Sequence, residues 1–281
     1  MALINTVIFS KDRACQLEAL LRSLREQVPD WKSRGLWSVV FTASSPRFDE
    51  GYRLLRENPA TKGVEFLDER AQGAPFADLV RSTMRRQRAA NGAQHCMFLV
   101  DDMLFKAPWP QDGGKPMRRL LKDKTVLCLS LRMCKRYDYC YARRKDMKLP
   151  RFDWWGRWNW TKSRLDWGYP MSVDGHVFRY DDLLPLVERV SFRHPNSFEA
   201  ALAENPIRQR PRMVCYPEAV VVNLPINLVQ TELKNRAGEQ HGISTEALND
   251  AFLAGRRVDL APVYALRDNR GCHHELSVHW L

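Results

Sequence analysis

Short apolar runs and amphipathic stretches alternate over the first 105 residues. Thr6–Ser10 (TVIFS) is an apolar, β-branched run that predicts a strand, and Leu17, Leu20, Leu21, Leu24 and Val28 follow at the spacing of one helical face. Ser38–Thr42 (SVVFT) and Val64–Leu67 (VEFL) predict two further strands. Phe76, Leu79, Val80 and Met84 mark another helix, ending near Asn91–Gly92. Cys96–Val100 (CMFLV) is apolar throughout, as expected of a strand at the centre of a sheet. Strands alternating with helices predict an α/β fold: a Rossmann-like, mostly parallel central sheet flanked by helices.

The pattern changes after a predicted strand at Val126–Leu131. Residues 132–164 show no strong periodicity and read as a long functional loop. This stretch holds Tyr137, Tyr139, Tyr141, Phe152, Trp154, Trp155, Trp158 and Trp160. Apolar strands are expected again near His176–Arg179 and Ala219–Val222, and helices at 197–204, 228–236 and 245–254. No internal repeat or linker divides the chain, so 1–281 is expected to form a single domain.

The 281 residues are 44% hydrophobic and 27% charged, which suits a folded protein with ample core and excludes a disordered or low-complexity chain. A net charge of +11 adds an expectation: an anionic partner, whether nucleic acid, a phosphate-bearing substrate or an acidic membrane surface. Residues 132–164 alone carry eleven Lys+Arg against three Asp, a net of +8. Charge this local argues against a diffusely basic nucleic-acid binder, and no RNP-like, zinc-finger or helix-turn-helix pattern supports one. The seven cysteines lack a CxxC pair and several lie in apolar runs, which reads as reduced, buried thiols in a cytosolic protein. A zinc site from Cys134 and Cys140 is poorly spaced. MALINTVIFSKDR has no basic stretch leading into a long apolar one, and the longest weakly polar run, Ala219–Thr231, is too short to span a bilayer. The expected location is cytoplasmic, with a peripheral contact to the inner face of a membrane.

The sharpest chemical signal is Val100-Asp101-Asp102-Met103, where a predicted central strand ends in adjacent carboxylates. In open α/β sheets ligands bind beyond the carboxyl ends of the strands. Two carboxylates there make a hard-oxygen site for Mg²⁺ or Mn²⁺, which in turn can bridge a diphosphate. The N-terminal half resembles the nucleotide-sugar glycosyltransferases with the GT-A fold, in the family 2-like sense. The resemblance lies in Val7-Ile8-Phe9-Ser10-Lys11-Asp12-Arg13 with the leucines behind it, in Val39-Val40-Phe41 with its Ser-rich turn, in the helix at 76–90, and in the strand ending at Asp101-Asp102. It implies that 1–110 is a nucleotide-sugar-binding half, with 111–281 receiving the acceptor. It also implies that Ser10, Lys11 and Arg13 lie near the donor, that Asp102 is the metal ligand, and that Asp101 meets the ribose or the metal's surroundings. The family's DxD motif has its first acid replaced here by Val100.

Three further constellations bear on the chemistry. Asp174, in Val173-Asp174-Gly175-His176, and Glu199, in Pro195-Asn196-Ser197-Phe198-Glu199, are the carboxylates expected to take the acceptor's proton, ahead of Asp166. Asn196 with Glu199 also has the spacing of a capping box, and Asp174-Gly175 that of a simple turn. In the tail, Cys272-His273-His274-Glu275 offers an imidazole, His274 or its neighbour, to complete a Mn²⁺ shell, as a late histidine does in the family resembled. Asn227, Gln230, Asn235 and Arg236 fall near one predicted helix and read mainly as a solvated face. Trp155, Trp158, Trp160 and Trp167 are expected to stack on an acceptor sugar, since the four tryptophans within 154–160 are too dense for one short segment to bury entirely against the core. The expected function is metal-dependent transfer of a sugar from a nucleoside diphosphate donor to a hydroxyl of a carbohydrate or lipid-linked acceptor, with inversion. The alternative is a non-catalytic basic protein of the same fold that holds an anionic polymer or nucleic acid.

Overall fold

The computed structural model describes residues 2–227, 242–267 and 270–281. In chain order its strands are β1 (Ile4–Lys11), β2 (Trp37–Thr42), β3 (Val64–Asp68), β4 (His95–Val100), β5 (Met103–Phe105), β6 (Val126–Cys134), β7 (Tyr139–Cys140), β8 (Lys145–Asp146), β9 (Arg157–Asn159), β10 (His176–Arg179), β11 (Arg212–Tyr216) and β12 (Val221–Asn223). The helices are α1 (Ala14–Gln27), α2 (Pro46–Glu57), α3 (Glu69–Gln72), α4 (Phe76–Asn91), α5 (Gly114–Lys122), α6 (Tyr180–Arg189), α7 (Pro195–Glu204), α8 (Thr245–Leu253) and α9 (Ala261–Tyr264).

Eight strands form the central sheet in the order β3-β2-β1-β4-β10-β6-β11-β9. β1 runs parallel to β2 and β4, β2 parallel to β3, and β6 parallel to β11. β10 is antiparallel to both β4 and β6, and β9 caps the edge antiparallel to β11. Because β4 and β6 both oppose β10, their carboxyl ends lie on one side of the sheet. The fold is thus α/β and GT-A-like, a mostly parallel sheet with helices on it. Two antiparallel pairs, β5 with β12 and β7 with β8, stand apart.

Local sequence explains the elements. β1, β4 and β6 are buried along nearly their whole length, so their apolar runs do not alternate. α1 buries Leu17, Leu20, Leu21 and Leu24. α4 stops where Gly92 takes a left-handed conformation at φ 65°. α2 starts at Ser45, whose hydroxyl accepts the Phe48 N–H, with Pro46 in the first turn. One cluster of buried apolar side chains runs from Ile4 to Cys272.

The middle segment departs from the expectation of a loose loop. Residues 132–164 contain the end of β6, the β7–β8 ribbon and β9, and Tyr137, Trp158 and Trp160 are buried. The last expected strand is shorter and shifted, as β12. α2, α5, α6 and β11 add to the elements expected from the sequence. The expected helix at 228–236, with Gln230, Asn235 and Arg236, lies outside the described residues.

Candidate active site

The site is built where β1 and β4 end. Asp12 turns the chain out of β1 with φ 56°, a left-handed conformation that Asp tolerates, and its carboxylate accepts the Ser44 N–H at 2.6 Å. That turn directs Arg13 back over the strand ends. Asp101 receives it: Oδ1 accepts from Arg13 Nη1 at 3.1 Å, while Oδ2 accepts from Ser10 Oγ at 2.9 Å and from the Lys11 N–H at 3.3 Å. The buried Tyr52 hydroxyl accepts the Arg13 N–H at 3.1 Å and lies 2.7 Å from Ser10 Oγ. Since Ser10 gives its proton to Asp101, Tyr52 donates to Ser10, which orders the chain Tyr52→Ser10→Asp101. Burial pushes the Asp101 carboxyl up to about 6, with Arg13 pulling it down and Asp102 pushing it further up. Burial works against the Arg13 cation, yet Asp101 and Asp102 hold its pKa above the ordinary value.

Asp102 is placed differently. Its Oδ1 accepts from Asn223 Nδ2 at 3.0 Å and its Oδ2 lies 3.7 Å from Arg13 Nη1. Its backbone carbonyl accepts the Leu224 N–H at 2.8 Å, which ties the turn to β12. Asn223 also carries the tail, since the His274 N–H donates to its carbonyl at 2.9 Å. His273 stacks on Tyr141 with ring centroids 4.6 Å apart, and Cys272 Sγ lies 3.1 Å from its Nδ1. Burial, then the Arg132 charge, lowers the His273 pKa, against the pull of Asp174 and Asp102. His273 is therefore in electrostatic range of Asp102, while His274 is tied through its backbone to Asn223, whose side chain holds Asp102.

The third part comes from β6, β10 and α7. Arg132, at the end of β6, donates from Nη1 to Asp174 Oδ2 at 2.6 Å. Burial raises the Asp174 carboxyl to about 6, with Arg132 lowering it and Glu199 and Asp102 raising it. Glu199 is half-buried on α7. That helix is capped by His194, which accepts the Ser197 N–H at 3.2 Å, so the capping box is His194 with Ser197 and not Asn196 with Glu199. Phe198 fixes the helix: it meets Phe98 edge-on at 5.1 Å, Phe9 at 6.1 Å and Phe192 at 4.3 Å.

Two expectations need correction. Trp158, Trp160 and Trp167 are buried, with indole N–H groups on the carbonyls of Trp167, Arg210 and Tyr137, so they are core and offer no face to an acceptor. They are buried together because they interlock edge-on, Trp158 on Trp167 at 4.9 Å; of the four expected acceptor tryptophans, Trp155 alone is exposed. Second, Ser10 and Asp101 spend their polar atoms on the framework that holds Arg13, and present little to solvent. Lys11 is exposed on the rim. Asp166 is likewise a brace: it accepts from Tyr137 and, at 3.1 Å, from Cys140 Sγ.

Sequence reasoning passed over Asp12, Tyr52, Arg132 and Asn223. Arg132 had a usable signal, a single charge inside the apolar run VLCLSLRMC, which must find a counter-charge when buried. Asn227 accepts from Arg13 through its carbonyl and from Gln16 Nε2 through Oδ1 at 3.0 Å, so it belongs to the site and not to a solvated face.

Among the described residues no three His, Cys, Asp or Glu side chains converge to hold a metal on their own. The donor chemistry nonetheless fits Mn²⁺ or Mg²⁺. Burial is the main reason that Asp101 and Asp174 keep raised pKa values with Arg13 and Arg132 bound to them, and the neighbouring Asp102 charge adds to both. Asp102 carries carboxylate oxygens, the hard donors that such ions take, and those ions are commonly held by one or two carboxylates plus substrate phosphates.

No protein-family model matches the chain. In sequence it is 25% identical over 222 residues to the bifunctional glycosyltransferase pgtA of Dictyostelium discoideum, a match covering 70% of this chain and 27% of that protein. The chain thus spans about a quarter of the length of this curated relative. Among solved structures it superposes on TarS of S. aureus with a TM-score of 0.48 and 12% identity, covering 89% of this chain and 44% of that one. It also superposes on the mannosyltransferase PcManGT of Pyrobaculum calidifontis, in complex with GDP-Man and Mn²⁺, with a TM-score of 0.45 and 14% identity, covering 94% of this chain and 68% of that one. In sequence the chain is thus similar to a part of a glycosyltransferase, and its own sheet topology is GT-A-like.

Proposed function

We propose that this protein transfers a sugar from a nucleoside diphosphate donor to a hydroxyl of a carbohydrate or lipid-linked acceptor, with inversion. The observation that carries the reading is the acid-and-arginine cluster at the carboxyl ends of β1 and β4: Arg13 between Asp101 and Asp102, with Asp174 and Glu199 in electrostatic range. Residues 1–110 form the donor half and 111–281 the acceptor half.

Asp102 would hold Mn²⁺ or Mg²⁺ with His274 or His273 beside it; such an ion, when bound, supplies Lewis-acid compensation for charge on the leaving diphosphate. Arg13 and the exposed Lys11 add fixed positive charge near that leaving group. Asp174 is bound by Arg132, so its role is to position, and the half-exposed Glu199 is the base. The acceptor oxygen attacks the anomeric carbon in line, its proton passes to Glu199, and the bond to the diphosphate breaks with its electron pair leaving on the diphosphate. Incubation with a panel of nucleotide sugars, with and without Mn²⁺, tests this. Sugar release or transfer that requires metal and is lost in Asp102→Asn supports the reading; full metal-dependent activity in that variant removes Asp102 from the site.

A further inference from the structure

Outside the acid cluster, the boldest apolar exposure is in residues 149–156. Trp154 is 92% exposed, more than any other large apolar side chain among the described residues, Trp155 is 52% exposed and Leu149 46%. The buried Trp158 follows just beyond this segment and anchors that end of it.

The surroundings are basic. The Arg119 guanidinium lies 3.7 Å from the Trp155 ring centroid, which fixes the segment to α5, and Lys122 is the next residue on that helical face. Lys135 sits over Phe152 at 5.7 Å, and Lys148 and Arg151 flank Leu149 in sequence. The acids nearby are already spent. Asp123 is paired with Arg157, and Asp153 with Arg157 and Arg212. Among the described residues no acidic group lies within ion-pair distance of Lys122, Lys135, Lys148 or Arg151.

Exposed Trp and Leu ringed by unneutralised Lys and Arg match the interfacial zone of an anionic bilayer: Trp settles at headgroup depth while the basic stems reach lipid phosphates. Arg119 covers one ring face of Trp155, and Leu149 offers no hydrogen bond, which disfavours a sugar-stacking platform. No described helix is long and apolar enough to cross a membrane, so the contact would be peripheral. Lys135 follows β6 and Asp101 follows β4, strands whose carboxyl ends share one side of the sheet, so the basic rim starts on the side that carries the acid cluster.

We propose that residues 149–156, together with the exposed face of α5, dock the protein onto an anionic lipid surface. The inference does not depend on the proposed activity. Flotation of the whole protein with phosphatidylcholine vesicles, with and without phosphatidylglycerol, tests it. The bound fraction should rise with phosphatidylglycerol and fall with salt. The partition constant should drop roughly thirtyfold in Lys122→Gln/Lys148→Gln, given about 1 kcal/mol per basic residue at an anionic surface. Trp154→Ser should also lose binding, and because Trp154, Lys122 and Lys148 are exposed both variants should keep the wild-type Tm. Equal binding to neutral vesicles, or wild-type binding by both variants, would overturn the proposal. So would tighter binding of a soluble anionic polysaccharide or an RNA than of vesicles through the same residues.

Discussion

Arg132→Met probes the electrostatic frame of the site. Arg132 is the sole charged residue in β6, nine residues that are all buried. Its side chain is 8% exposed and that of Asp174 15%, and they meet at 2.6 Å. Methionine keeps most of the apolar stem, so the change removes the counter-charge more than the packing. An uncompensated buried carboxylate costs about 3–5 kcal/mol, a large share of an ordinary domain stability of about 5–15 kcal/mol. Adding Asp174→Asn should return most of the loss, giving a coupling of at least about 2 kcal/mol in a double-mutant cycle read from urea midpoints at pH 7.5. The pH dependence has a definite sign. Asp174 has its folded pKa raised to about 6, above the ordinary carboxylate value. The folded state therefore gains protons, and stability, as pH falls through that value. Without Arg132 the value climbs further, so the deficit of Arg132→Met should shrink between pH 8 and pH 5. A cost under about 1 kcal/mol, or a double variant no more stable than the single one, would refute the pairing as an anchor.

Other expectations follow from neighbouring features. Phe198→Ala, emptying a site between Phe9, Phe98 and Phe192, should cost about 3–5 kcal/mol in chemical denaturation. Burial lowers His95 to about 4 and His176 to about 3 from 6.5. Both are neutral in the fold, so below pH 6.5 the unfolded chain takes up protons that the fold refuses, and stability should fall by about 1.4 kcal/mol per pH unit for each until its folded pKa is reached. His95→Gln should remove one share of that slope, measurable by urea titration across pH 4–7. Glu199→Gln should lower the transfer rate by about 10²–10⁴-fold while leaving nucleotide affinity unchanged in calorimetry.

The parts of this molecule legible in its sequence are those where one physical rule acts alone. The strands TVIFS, SVVFT and CMFLV are buried on both faces, so uninterrupted apolar runs identify them. Asp101-Asp102 could be singled out because carboxylates at the end of such a run are costly without a purpose. The resemblance assigns Asp102 to the metal, but the arginine clamp on Asp101 was not legible. Which carboxylate is clamped depends on Asp12 turning Arg13 inward and on Asn223 arriving from a strand 121 residues later, and neither contact leaves a local pattern. The tryptophans misled for a related reason. Density along the chain says nothing about interlocking in space, and β9 with the short helical turns after it folds Trp158, Trp160 and Trp167 inward while leaving Trp154 and Trp155 outside. The basic charge of 132–164 likewise divides: Arg132 and Arg157 are used internally, and the exposed lysines remain.

The most direct measurement of the central claim is a thermal-shift titration of nucleoside diphosphates with and without Mn²⁺, run on the wild type and on Asp102→Asn. The expected result is a Tm rise with one nucleotide only when metal is present, about 2.7 kcal/mol of added stability at a hundredfold excess over Kd, and its disappearance in the variant. A wild-type protein that no nucleoside diphosphate stabilises, with or without metal, would contradict the claim that this acid-and-arginine cluster is a sugar-nucleotide site.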